Sequence, residues 1–338
     1  MDAWLGFSLV VAGGIMQGTY FLGLKYVEPW KWENIWALYA VISLIALPAG
    51  LALATVPHLS EMLSRAPASA LLMVFLYGAG WGIGSVLAGL GVDKMGMAMG
   101  VAVLIGVTAA IGTFVPLVVN TPQMIFTGKG LLVILSVAAL LLGVGLAAVA
   151  GKKRDASLAD GPAPVKKGQF GAGLAICIFS GIFSAMLNMA FAFSQPVVKA
   201  GIETGAGNFG ALNAVWMVAL GGGFIANAAY TGYLLFRNRT WAKFTLPGTG
   251  KGWAIGLAMA ILWTGGVVLY GRGAASMGQI GAVIGWPLFM AVIIFVSTIW
   301  GFASGEWKGS GRQAKGYMVA GMVVLLVASA LVGIANRM

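Results

Sequence analysis

Long apolar runs separated by short polar breaks extend along the whole chain. Ten runs approach or exceed the roughly 20 mainly apolar residues that a helix needs to cross a bilayer. They cover about residues 4–24, 35–56, 69–92, 97–119, 130–150, 169–194, 207–236, 253–275, 279–303 and 315–335. Prolines, charges and amides mark the breaks, as in Glu28-Pro29 and Asn120-Thr121-Pro122. The pattern predicts an all-α, polytopic membrane protein with ten transmembrane helices.

One break is longer and more polar than the others. Residues 151–168 carry a basic run and two prolines, and five apolar runs lie on either side of them. We therefore predict a first five-helix repeat over residues 1–150, a cytoplasmic linker over 151–168 and a second five-helix repeat over 169–338.

A short sequence repeat supports this division. The spacing from Trp81 to Gly96 recurs from Trp263 to Gly278, and three glycines in each copy stand at the same offsets, namely Gly84, Gly89, Gly91 and Gly266, Gly271, Gly273. An odd number of helices per repeat forces the two copies into opposite orientations, which is the inverted-repeat architecture of many secondary carriers. Chance matching of glycine-rich apolar sequence is the alternative.

Composition and charge distribution exclude most other classes of protein. Only 9% of the residues are charged, whereas soluble proteins carry about 25%. The net charge of +11 comes from Lys and Arg in short loops, without the basic stripe of a nucleic-acid-binding protein. Fifteen of the 20 lie in one set of loops, and the other five are Arg65, Lys129, Lys199, Arg272 and Arg337. The positive-inside rule then predicts a cytoplasmic linker and both termini outside.

The sequence has few residues from which an active site or a metal site could be built. The chain has one cysteine, Cys177, in an apolar run, and one histidine, His58, in a loop. One cysteine and one loop histidine cannot form a disulfide, a zinc site or an intramembrane Ser–His dyad. The sequence also lacks the motif of a phosphate-binding loop. We therefore predict no enzyme, no catalytic residue, no metal and no cofactor. The N-terminus lacks the basic start of a signal peptide, so the first run is predicted to be a retained helix.

Several local strings, taken in order, resemble a known family. They are Trp30-Lys31-Trp32-Glu33-Asn34-Ile35-Trp36, Tyr77-Gly78-Ala79-Gly80-Trp81-Gly82-Ile83-Gly84, Met95-Gly96-Met97-Ala98-Met99-Gly100, Gly181-Ile182-Phe183-Ser184-Ala185, Gly221-Gly222-Gly223 with Asn227, and Glu306-Trp307. Together they resemble the L-rhamnose–proton symporter family of the drug/metabolite transporter superfamily. The resemblance implies ten helices, a bacterial inner membrane and proton-coupled uptake of a deoxy-sugar. Residues 279–283 depart from the family pattern because they carry no acid.

Polar and aromatic residues within the apolar runs are the candidate substrate ligands. Sugars need hydrogen-bonding groups for their hydroxyls and aromatic faces for their C–H groups, and polar groups inside a membrane tend to be functional. The predicted ligands are Gln17, Tyr20, Asn188, Asn213, Asn227 and Tyr270, together with Trp81, Trp263 and Trp286. Interhelix hydrogen bonds are the alternative role of the amides, and packing that of the tryptophans. We predict that Trp4, Trp30, Trp32 and Trp36 are interfacial belt residues.

Proton coupling needs a group that alternates between charged and neutral forms. No acid lies at the middle of an apolar run, and Glu33, at the start of the second run, is the nearest. Glu33 could carry the proton if burial raised its pKa. It could equally be a charge that stabilises a helix N-terminus. Sodium coupling also stays open.

These observations predict a secondary active transporter that takes up a small sugar, L-rhamnose or a related deoxy-sugar, by proton symport with alternating access. Its predicted partners are the sugar and the lipid bilayer, with no nucleic acid. The sequence does not determine the oligomeric state, and it is compatible with a monomer. The alternative function is a facilitator or exporter of another small polar metabolite, a nucleoside or a drug.

Overall fold

The computed structural model describes residues 3–95, 97–157 and 169–338, and these residues form helices and turns without a strand. The α-helices are α1 (Ala3–Tyr20), α2 (Trp32–Val41), α3 (Leu47–Thr55), α4 (Leu59–Arg65), α5 (Ala68–Met95), α6 (Met97–Asn120), α7 (Gly128–Ser157), α8 (Gln169–Ala192), α9 (Gln195–Glu203), α10 (Asn208–Arg237), α11 (Gly250–Ser276), α12 (Gly281–Ala303) and α13 (Arg312–Arg337). Short 3₁₀ turns cover Phe21–Tyr26, Pro122–Met124, Trp241–Thr245 and Gly278–Ile280.

The predicted all-α class and the ten crossing segments are confirmed. Ten helical spans among the described residues are long and apolar enough to cross a membrane. The second span is interrupted, because a π turn over Ile42–Ala46 separates α2 from α3. Pro48 follows this turn, and a proline inside a helix lacks the N–H for the regular bond and clashes with the preceding turn. The wider turn accommodates that defect.

Two short helices and one helical extension were absent from the hydropathy pattern. Helices α4 and α9 connect spans at one end of the bundle and pack against each other. Both are too short to cross a membrane, so a 20-residue pattern does not detect them. At the other end, α7 continues to Ser157, which makes the first residues of the predicted linker helical. The rest of that linker, residues 158–168, lies outside the described residues.

Short connections make successive spans antiparallel. We refer to the end at which α1 begins as the upper end, and to the end at which α7 finishes as the lower end. Helix α1 packs against α11 and α12, whereas α8 packs against α5 and α6. The two halves of the chain therefore interdigitate, and each first helix lies against the other half.

The contacts of equivalent glycines in the two halves are also similar. A Cβ at Gly84 on α5 would lie 2.7 Å from the backbone nitrogen of Ser184 on α8. A Cβ at Gly266 on α11 would lie 2.7 Å from the Cγ of Gln17 on α1. Gly84 and Gly266 are matched in the sequence repeat, so the two crossings use the same repeat position. Paired packing of this kind is expected of two copies of one five-helix unit.

Candidate functional site

Asn188 on α8 joins four helices in the upper half of the bundle. Its Nδ2 donates to the carbonyl oxygen of Gly112 on α6 at 2.7 Å and to that of Ala282 on α12 at 3.1 Å. The hydroxyl of Tyr270 on α11 donates to its Oδ1. The Asn188 side chain has no exposed surface, so one amide ties together helices from both halves.

Aromatic rings surround this amide. The Tyr270 ring lies 4.7 Å from the Phe289 ring, 5.4 Å from the Trp286 ring and 5.8 Å from the Phe191 ring, between centroids. The indole of Trp286 donates to the carbonyl oxygen of Thr108 at 3.0 Å. We refer to Asn188, Tyr270, Trp286, Phe289, Phe191 and Thr108 as the upper cluster.

A second group of aromatic rings lies nearer the lower end. Trp81 on α5 and Trp263 on α11 have ring centroids 5.1 Å apart. Gln17 donates from Nε2 to the carbonyl oxygen of Trp263 at 2.9 Å. The Tyr39 ring meets Trp263 edge-on at 5.9 Å and is stacked with Tyr20 at 5.9 Å. The two tryptophans, matched in the sequence repeat, thus meet between the halves.

Asn227 on α10 is the polar member of this second group. Its Oδ1 accepts hydrogen bonds from the Trp36 indole at 3.0 Å and from the Ser85 hydroxyl at 3.1 Å, while its Nδ2 donates to the carbonyl oxygen of Gly223 at 2.9 Å. The side chain is buried. We refer to the lower cluster as Gln17, Tyr20, Trp36, Tyr39, Trp81, Ser85, Asn227 and Trp263.

The structure thus brings eight of the nine predicted ligands into two clusters rather than one. The ninth, Asn213, lies apart at the upper end, where its amide donates to the Thr55 hydroxyl at 3.0 Å. Whether any of these residues binds substrate stays a prediction. In the described part of the chain, no group of three or more His, Cys, Asp or Glu side chains could hold a metal ion.

Two predicted belt residues point inward instead. Trp36 belongs to the lower cluster, and Trp30 is only 3% exposed. The Trp30 indole donates to the carbonyl oxygen of Lys243 at 2.9 Å. The belt assignment is therefore wrong for these two, because Trp30 packs against the α10–α11 connection and the Trp36 indole donates to Asn227 on α10. Trp4 and Trp32 are 54% and 40% exposed, as the belt prediction requires.

Sequence reasoning missed Trp36, Tyr39 and Ser85 as members of the lower cluster. Helix periodicity contained a signal for one of them, since Ser85 lies four residues after Trp81 and so shares its face of α5. Trp36 and Tyr39 share a face of α2 for the same reason. Finding them needed the additional knowledge that α2, α5 and α10 are neighbours.

Glu33 lies in the first turn of α2 and is buried. Its Oε1 accepts hydrogen bonds from the Thr240 hydroxyl at 2.8 Å and from Asn238 Nδ2 at 3.1 Å. The adjacent Asn34 donates to the carbonyl oxygen of Thr240 at 2.9 Å. The start of α2 is thereby fastened to the end of α10, which belongs to the other half of the chain.

Comparison with known proteins assigns the family. The family model described as L-rhamnose-proton symport protein matches residues 3–337. The chain belongs to this family. It is 28% identical over 339 residues to an L-rhamnose-proton symporter of Escherichia coli O1:K1 / APEC and to one of Shigella dysenteriae serotype 1 (strain Sd197). Each match covers 98% of this chain and 97% of the relative. Together with the ten apolar spans, the family makes this a multi-pass membrane protein.

Proposed function

We propose that this protein takes up L-rhamnose or a related deoxy-sugar across the bacterial inner membrane by proton symport. The observation that carries the proposal is the family match over residues 3–337, together with relatives of nearly equal length that are named L-rhamnose-proton symporters. The same names favour a transporter over an enzyme.

The chemistry of the interior suits a sugar. A pyranose presents hydroxyls at its rim and C–H groups on its faces, so it needs hydrogen-bonding side chains beside aromatic rings. Both clusters combine an amide, Asn188 or Asn227, with several aromatic rings. Both also draw residues from the two halves, which is where secondary carriers place their substrate.

Alternating access is proposed to occur between two inverted five-helix repeats, in the manner of the drug/metabolite transporter superfamily. Two findings support this proposal. Helices α1 and α8 contact equivalent pairs of helices in the opposite half, and the matched residues Trp81 and Trp263 meet at 5.1 Å between ring centroids. Movement of one repeat against the other would separate this ring pair.

Proton coupling is proposed to run through Glu33. Among the residues whose burial the structure describes, a set that leaves out Asp93, Glu33 is the only buried carboxylate. Both of its side-chain partners, Asn238 and Thr240, are donors to the carboxylate. A proton on the carboxyl would weaken it as an acceptor and loosen the end of α10 from α2. Protonation and opening at the lower end would thereby be linked.

Transport into proteoliposomes tests the proposal directly. Purified protein would be reconstituted and supplied with labelled L-rhamnose, L-fucose, L-mannose or D-glucose, with and without an inward-directed proton gradient. We expect accumulation of L-rhamnose above its external concentration only with the gradient, and no effect of replacing sodium at constant pH. Protein-free liposomes are the control. No uptake of any sugar in the panel would contradict the proposal.

A facilitator is the second candidate, and the scarcity of buried carboxylates in the described part of the chain favours it. If Glu33 only fastens α2 to α10, no second carboxylate among the residues of described burial is placed inside the protein to carry the proton. A facilitator would equilibrate L-rhamnose across the membrane at the same final level with or without the gradient. The proteoliposome experiment separates the two functions, because only a symporter accumulates the sugar.

A further inference from the structure

Two polar side chains in the upper half of the bundle are buried without a hydrogen-bond partner, as far as the described residues go. They are the hydroxyl of Thr113 on α6 and the indole N–H of Trp216 on α10, and these residues are 0% and 1% exposed. Leaving a buried donor unpaired is costly, and the hydrocarbon region of a membrane supplies no water to pair with it. The two groups therefore need an explanation.

Thr113 lies beside the amide at the centre of the upper cluster. It follows Gly112, whose carbonyl oxygen accepts the 2.7 Å hydrogen bond from Asn188. A Cβ at Gly112 would overlap the Trp286 indole, so the backbone of α6 lies directly against the aromatic ring of Trp286 at this point. The unpartnered Thr113 hydroxyl is thus one residue away from the contact between α6, α8 and α12.

Trp216 contacts a ring of the same cluster. Its ring is stacked on Phe191, with centroids 6.0 Å apart and an interplanar angle of 10°. Its indole nitrogen would be 2.7 Å from a Cβ at Gly271, which is the residue after Tyr270. Thr113 is therefore next in sequence to an acceptor of the Asn188 amide, and the Trp216 ring lies against Phe191 and against Gly271, the residue after Tyr270.

We propose that the transported sugar binds at the upper cluster, and that Thr113 Oγ1 and Trp216 Nε1 donate hydrogen bonds to its hydroxyl oxygens. This inference rests on the sugar uptake proposed above. Hydroxyl oxygens have lone pairs to accept both bonds. The neighbouring rings of Phe191, Tyr270 and Trp286 supply apolar faces for the C–H groups of the sugar.

The lower cluster differs from the upper one in how its hydrogen-bonding groups are paired. The hydrogen-bonding groups of Trp36, Ser85 and Asn227 pair with one another, so they need no ligand. Trp263 precedes Tyr270 by seven residues on α11, which places it about 10 Å lower along the helix axis. The Trp81–Trp263 contact thus lies between the upper cluster and the lower end. A sugar bound above it would be released below only after these rings separate.

Binding of labelled L-rhamnose to the purified full-length protein, measured by equilibrium dialysis, tests the assignment. Thr113→Val removes the hydroxyl at nearly constant volume, and Trp216→Phe keeps a ring but removes the N–H. Each should raise the Kd about tenfold, the effect of losing roughly 1.4 kcal/mol. Thr113→Ser should bind like the wild type because it keeps the hydroxyl. Thr298→Val is the matched control, since the Thr298 hydroxyl bonds only to its own helix, at the carbonyl oxygen of Ile294.

The melting temperature without sugar separates a ligand-binding role from a structural one. An unpartnered buried hydroxyl destabilises the sugar-free fold, so Thr113→Val should melt at or above the wild-type temperature. A lower melting temperature in Thr113→Val would give the hydroxyl a structural role and overturn the inference. Trp216→Phe is compared by its Kd alone, because the smaller ring lowers the melting temperature whatever the role of the N–H.

Failure of this inference can be told apart from failure of the proposed function. If the wild type binds and accumulates L-rhamnose while Thr113→Val and Trp216→Phe bind it with unchanged Kd, the site lies elsewhere and only this inference is wrong. If the wild type neither binds nor transports any sugar of the panel, the proposed function fails and this inference fails with it.

Discussion

At the scale of single residues, the buried amides account for much of the interhelix hydrogen bonding. Asn188 and Asn227 each contact two or more other helices or side chains, and both are almost fully buried. Sequence alone identified them because an amide inside an apolar run needs a partner. It could not assign them to different clusters, since that depends on which helices are neighbours.

Removing either amide should weaken sugar transport. Asn188→Ala leaves the Tyr270 hydroxyl without its acceptor, and Asn227→Ala leaves the Trp36 indole without its acceptor. Each loss should slow sugar uptake, and Asn188→Ala, which lies in the proposed sugar site, should also weaken apparent sugar binding by about 1–3 kcal/mol, measured as the change in the concentration that gives half-maximal uptake. Gln123→Ala is the control, because Gln123 is exposed in the turn after α6. Normal uptake by both interior variants would leave these amides as packing residues.

Glu33→Gln tests the coupling residue. Glutamine keeps the size and an oxygen acceptor for Thr240 and Asn238, but it cannot take up and release a proton. We expect accumulation driven by a pH gradient to be abolished and counterflow exchange of sugar to be preserved, since exchange requires no net proton release. Both would be followed with labelled L-rhamnose in proteoliposomes. If Glu33→Gln still accumulates the sugar, Glu33 is not the coupling residue. Sodium coupling would then be tested by replacing sodium at constant pH.

At the scale of helices, bilayer thickness explains why the hydropathy pattern was informative. A crossing helix has a fixed minimum length and an apolar surface, so ten spans could be counted from the sequence. The π turn before Pro48 and the short helices α4 and α9 follow local rules that such a count ignores. Inward-facing Trp30 and Trp36 were misassigned because aromatic residues near helix ends occur both at the lipid interface and in contacts between spans.

The close crossing of α5 and α10 should depend on Gly78. A Cβ at Gly78 would overlap the carbonyl group of Ala219, whereas nothing lies within 4 Å of a Cβ at Gly89 on the same helix. Gly78→Ala should therefore separate the helices and destabilise the protein by about 1–3 kcal/mol. Gly89→Ala should be neutral or slightly stabilising, because alanine favours a helix.

Melting temperatures in detergent, with labelled-sugar uptake as a second readout, compare these two glycine variants. We expect Gly78→Ala to melt lower and to transport more slowly, because Trp81 lies one turn further along the same helix. Equal melting temperatures for the two variants would mean that the α5–α10 crossing can widen without cost.

At the scale of the whole molecule, orientation in the membrane is a matter of charge. Thirteen of the 20 Lys and Arg residues lie in the described connections and helix ends at the lower end, and the linker sequence outside the described residues adds Lys166 and Lys167. Cytoplasmic loops carry such an excess. The fifteen residues are Lys25, Lys31, Lys94, Lys152, Lys153, Arg154, Lys166, Lys167, Arg237, Arg239, Lys243, Lys251, Lys308, Arg312 and Lys315. We therefore predict that the lower end faces the cytoplasm and that both termini face out.

Single-cysteine labelling in intact cells checks this orientation. Gln123→Cys lies in the upper connection between α6 and α7, Lys308→Cys lies in the exposed lower connection after α12, and Asp160→Cys lies in the linker, outside the described residues. The native Cys177 is buried and sets the background. A membrane-impermeant maleimide should label position 123 in intact cells, and positions 160 and 308 only after the membrane is broken. The reverse pattern would mean that the protein has the opposite orientation. Labelling of both 123 and 308 from outside would contradict the count of ten spans, because the five spans between these positions, an odd number, place them on opposite sides of the membrane.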